Sequence, residues 1–158
     1  MTIKTARDYF EQVISFNLTQ YDERPSSLPA AYNLANALFS MHEWVWETYE
    51  EKLEAELGII LSSKSAFNHH IQTACPAFRY MRDLANASKH VSLHSASTQA
   101  KHISDTSAIE SKWGEGVWGV SKYGRGVVVI DDDGTKVDFE NSAKEVHEYW
   151  FKMLAKLS

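Results

Sequence analysis

One helical pattern runs without a break from about Ala30 to Leu57, and it frames whatever the rest of the chain builds. Leu34, Leu38, Met41, Val45, Leu53 and Leu57 keep returning to one side, and Gly58 ends the run. A helix of that length spans roughly 40 Å, enough to serve as the backbone of a domain. Trp44 and Trp46 stand beside the main stripe, so apolar surface extends past one face and calls for cover by the N-terminal helix or a second subunit.

Shorter helical patterns flank it. "TARDYFEQVISF" opens one, with Thr5 as N-cap, Asp8 three residues on, and Phe10, Val13 and Ile14 as its apolar stripe. "DERPSSLP" (22–29) is a linker, and Pro29 suits a helix start. A further helix begins near "SSKSAF", and Pro76 should break it after Cys75, leaving 77–91 as a helix of its own. At the end of the chain "SAKEVHEYWFKML" carries a capping box of Ser142 and Glu145, with Val146, Trp150, Met153 and Leu157 as the buried stripe.

Between these lies a change of period. Residues 94–112 are polar, rich in Ser and Thr at their start, and read as a loop. "GVVVIDDDGTKVDFE" then reads as a hairpin about an Asp133–Gly134 turn, which places Ile130 opposite Val137 and Val128 opposite Phe139 and pairs Asp131 with Lys136. "GVWGVSKY" before it reads as a third strand. The expected fold is mostly α (α+β): a helical part (1–93), a polar loop (94–112), a small antiparallel three-stranded β-meander (113–140) and a C-terminal helix (141–158), in a single domain.

Composition limits the function classes. A net charge of −5 argues against a protein that coats nucleic acid, since phosphate binding needs excess Lys and Arg. A single cysteine, Cys75, cannot form an intramolecular disulfide. With no apolar run of membrane-spanning or signal-peptide character, the chain is expected to be soluble and cytoplasmic, with no membrane contact. "GEGVWG" (114–119) spells GxGxxG but lacks the strand-to-helix setting of a dinucleotide site. "DDDG" fits a hairpin better than a calcium loop. His90 and His94 are four residues apart without the Glu of HExxH or a marked third ligand, and no metal or cofactor is expected.

Chemistry-bearing residues gather in "FRYMRDLANASKH" (78–90). At 100° per residue, Arg79, Arg82, Asp83, Asn86, Lys89 and His90 share one sector, while Phe78, Met81, Leu84, Ala85 and Val91 lie opposite. Three readings fit. The face is solvated and laced with local ion pairs; or Asn86 and His90 are buried and fix the register of a helix pair; or the arginines hold a phosphate and His90 moves a proton.

"DLANASKHVSL" resembles a signature, N-x-x-K-H-x-x-L, of small uncharacterised bacterial and phage proteins, in which a hairpin and a Trp-bearing helix follow. That resemblance implies no activity. More weakly, the helical part is similar to HEPN domains, helical bundles that often dimerise and many of which are metal-independent ribonucleases of toxin or phage-defence systems. The resemblance implies Arg82, followed by the polar Asp83, and His90 as catalytic residues, although the seven residues between Arg82 and His90 exceed that family's spacing. The preferred expectation is a non-catalytic regulatory or interaction module. Arg79, Asp83, Asn86 and Lys89 would be its binding residues, and a protein or a second copy of the chain its partner. The alternative is a HEPN-like ribonuclease acting on RNA.

Overall fold

Thr5 opens the first helix with both halves of a capping box. Its hydroxyl accepts from the Asp8 amide at 3.1 Å, and the Asp8 carboxylate accepts from the Thr5 amide at 3.0 Å. The computed structural model describes residues 2–89, 106–110, 125–131 and 133–157. The helix runs on as α1 (Ala6–Tyr9), a π-helical turn over Phe10–Ile14, and α2 (Ser15–Glu23). Nothing in the apolar pattern marks that widened turn, yet Phe10 and Ile14 within it are buried as the stripe requires.

The long helix, α3 (Leu28–Leu57), is 30 residues and therefore about 45 Å in length. It starts earlier than its stripe because the Ser27 hydroxyl accepts from the Ala30 amide at 3.3 Å and Pro29 sits in the first turn. It stops at Gly58, whose φ of +67° is the left-handed C-cap. Leu34, Leu38, Met41, Val45 and Leu53 are fully buried, and Leu57 is half-buried. Around this axis pack α1, α2, α4 (Lys64–Ala74), α5 (Phe78–Ala87) and α6 (Phe139–Leu157), each in contact with α3. Tyr9 of the N-terminal helix stacks on Trp44 with centroids 5.0 Å apart, while Trp46 is covered by Phe67 of α4 at 5.9 Å.

Pro76 separates α4 from α5, as its missing amide donor and ring demand. In α6 the stripe of Val146, Trp150, Met153 and Leu157 is buried. Trp150 is its anchor: the ring lies edge-on to Phe78 at 5.8 Å, and the indole N–H donates to the Leu38 carbonyl at 3.0 Å. One side chain thereby joins α6, α5 and α3.

A small antiparallel sheet completes the fold, with order β1 (Thr106–Glu110), β2 (Arg125–Ile130), β3 (Lys136–Asp138). The hairpin is where it was expected, but its register is not. Val129 stands opposite Val137, and Ile130 opposite Lys136. The Asp131 amide donates to the Thr135 carbonyl and the Gly134 amide to the Asp131 carbonyl, both at 2.9 Å. The loop is therefore longer than a two-residue Asp133–Gly134 turn, and Gly134 takes the left-handed φ of +84° that such loops place at their end. Three expected pairings fail together, because a one-residue slip exchanges the faces of a strand.

Phe139, expected in the strand, is the first residue of α6 and packs edge-on to Tyr21 at 5.0 Å. The helix begins there because Asp138, not Ser142, caps it: the Asp138 carboxylate accepts from the Asn141 amide at 3.1 Å. Ser142 is buried inside the first turns, its hydroxyl donating to the Asp138 carbonyl at 3.0 Å. The strand β1 comes from residues expected in the polar loop, and it is β1 that lies along β2. The strand expected in "GVWGVSKY" and the glycine pattern of 114–119 lie outside the described residues. Among the described residues no helix is long and apolar enough to cross a membrane.

Candidate functional site

The polar residues of α5 sort into two networks. The first belongs to Arg82, which donates from all three guanidinium nitrogens. Nε and Nη2 reach the Asp83 carboxylate oxygen at 2.9 and 2.8 Å, and Nη1 reaches the Gln72 side-chain oxygen at 2.8 Å. Gln72 in turn donates to Asn68 one helical turn earlier in α4, at 2.6 Å. The guanidinium thus fastens α5 to α4 across the Pro76 break.

The second network reaches the hairpin. Arg79 donates from Nη2 to the Asp131 carboxylate at 2.7 Å and to the Tyr80 hydroxyl at 3.0 Å. The Tyr80 hydroxyl donates to the same Asp131 oxygen, and its guanidinium neighbour lies 5.0 Å from the Tyr80 ring centre. Burial, and then the Asp131 carboxylate, push the Tyr80 hydroxyl above its ordinary pKa, so it holds its proton as donor.

These contacts correct the expected polar face. Asp83 was expected among the binding residues on the surface, but it is only 1% exposed. It stands in line with Tyr80 and Ala87, three residues before and four after it, and both of these are buried too. The buried arc of α5 is therefore wider than the apolar residues alone mark, and the i, i+3, i+7 line of Tyr80, Asp83 and Ala87 was the signal available in the sequence. Arg79, Arg82 and Asn86 are half-buried on the flank of that arc, and Lys89 is exposed just beyond the helix. Near its end the helix is tied to α3 by a hydrogen bond of 3.1 Å from the Asn36 amide to the Ser88 hydroxyl.

His90 lies outside the described residues. Besides Asp83, the groups that Arg79 and Arg82 engage are Tyr80, Asp131 and Gln72, with Asn68 behind Gln72; none of them was a candidate site residue in the sequence, and Asp131 was expected to pair with Lys136. Only the i, i+4 spacing of Asn68 and Gln72 hints at their pairing; the Asp131 contact spans 52 residues and has no local signal. Among the described residues, no group of three His, Cys, Asp or Glu side chains could hold a metal ion. No known protein family, curated protein sequence or solved structure matches this chain.

Proposed function

We propose that the chain is a non-catalytic regulatory or interaction module whose contact surface is built on the polar stretch from Arg79 to His90, of which α5 carries Arg79 to Asn86. The observation that carries this reading is the engagement of Arg82, all of whose guanidinium nitrogens donate to Asp83 or Gln72. An arginine that stabilises a phosphoryl transition state aims open donors at the developing charge. Arg82 instead uses three of its five N–H groups inside the chain and neutralises a buried carboxylate.

With Asp83 turned inward, the described surface left to a partner is Arg79 and Asn86 on α5 and Lys89 just past its end. Mixed charge and amide groups beside a packed helix suit the polar rim of a protein contact. The proposed partner is a second copy of the chain.

Light scattering over a concentration series tests this, together with incubation of the protein with single-stranded RNA in EDTA. The expected result is self-association that Lys89→Glu weakens, with RNA left intact. A strict monomer overturns the self-partner. RNA cleavage by the parent that Arg82→Ala abolishes without unfolding overturns the non-catalytic reading.

A further inference from the structure

A cavity of about 340 Å³ opens between the C-terminal end of α3, one face of α4 and the last turns of α6. That volume falls within the range of small-molecule sites. Leu57, Met153 and Leu157 supply apolar wall, and Met153 and Leu157 are themselves buried. Tyr149 adds to the lining, and its hydroxyl is buried with no hydrogen-bond partner among the described residues.

Two polar groups here differ from Arg79 and Arg82 of α5 in being unspent. Among the described residues, neither His70 nor Lys156 makes a side-chain hydrogen bond or ion pair. Lys152 pairs only with Glu148, at 3.2 Å, where both side chains are more than half exposed and the pair is weak. Burial holds the His70 imidazole below its ordinary pKa, so at neutral pH it is uncharged and offers one donor and one acceptor.

The signs in the lining select the ligand. The lining holds two lysines and one glutamate, Glu56; Glu148 partly offsets Lys152, and Lys156, with no ion pair among the described residues, is the group that favours an anion. The lining has no arginine, and Glu56 repels a doubly charged phosphate, which is best held by arginine forks or backbone amides. One negative charge on a hydrocarbon body matches both the rim and the wall. We propose that this cavity binds a small amphipathic carboxylate, its hydrocarbon part against Leu57, Met153 and Leu157 and its carboxylate toward Lys156 and Lys152.

The test is a titration of the full chain with hydrocinnamate, followed by NMR amide shifts, beside its neutral amide and the corresponding amine. Shifts should cluster at Leu57, His70 and Met153 and saturate. The neutral amide should bind about tenfold more weakly, and Lys156→Gln should weaken hydrocinnamate binding by about the same factor, the scale of one charge-assisted hydrogen bond. Lys156 is exposed, so this variant should keep the fold. Ala74→Trp, at the exposed end of α4, should block the cavity and remove binding. Absence of saturable shifts overturns the proposal, as does equal binding of acid and amide or binding that Lys156→Gln leaves unchanged.

Discussion

The Arg79 guanidinium donates to the Asp131 carboxylate at 2.7 Å, and this contact couples the α5 helix to the hairpin. It depends on register. In a two-residue turn Asp131 would stand opposite Lys136 on the sheet, whereas the longer loop leaves Asp131 at its flank, bonded to Arg79 and Tyr80. The hairpin is thereby a brace for the helix that carries the candidate surface.

Asp131→Ala should cost about 1–3 kcal/mol, because it removes a charge-assisted acceptor from two partly buried donors. Lys136→Ala should change stability by less than about 0.5 kcal/mol, as expected for an exposed side chain away from any network. Urea unfolding of the two variants decides between registers. Equal losses would return Asp131 to Lys136.

Gly134→Val should lower the melting temperature through backbone strain alone. At φ +84° an added Cβ would meet nothing within 4 Å, so no clash contributes. The left-handed conformation itself costs an L-residue about 1–2 kcal/mol, and a β-branched one is disfavoured further. A melting temperature equal to the parent's would mean that the loop does not hold Gly134 in that conformation.

The register was not legible for a reason visible in the strand. Val127, Val128, Val129 and Ile130 are apolar at every position, and Val127, Val128 and Val129 are all buried, so no alternation tells one face from the other. Asp133–Gly134 reads locally as a tight turn, and only the long-range partners of Asp131 choose the longer loop. The helices were legible because α3 and α6 repeat their stripes over many turns, with Thr5 opening the first helix, Pro29 near the start of α3 and Gly58 at its end, while the Ser27 cap went unmarked. At the candidate site, the sequence gathered these polar residues onto one helix but did not mark its inner edge. Whether Asp83 faces water depends on what packs against Tyr80 and Ala87, which helical period does not state.

Acid should destabilise the fold beginning near neutral pH. His42 is buried, with Nδ1 donating to the Phe39 carbonyl at 2.6 Å. Burial is the main cause that holds its pKa below 6.5; Lys64 adds to it, and the Phe39 carbonyl and Glu43 oppose it. His70 and His147 are lowered by burial as well. In each case the unfolded chain takes up a proton before the folded one does. The stability they contribute is present in full above pH 6.5 and is lost as pH falls from there through the folded pKa. Urea unfolding at about pH 7.5, 6.5 and 5.5 should show a falling midpoint, and His42→Gln should flatten part of the slope. A midpoint that rises toward pH 5.5 would contradict the assignment, within that same window.

The most direct measurement is the urea denaturation of Arg82→Ala. The Asp83 side chain is 1% exposed and that of Arg82 19%, so the substitution strips a buried carboxylate of its guanidinium. Removing one partner of a buried pair typically costs about 3–5 kcal/mol, and a loss of that order is the expected result. It would establish Arg82 as part of what holds α5 in place. An unfolding midpoint equal to the parent's would show that the pair does not support the fold and would contradict this account.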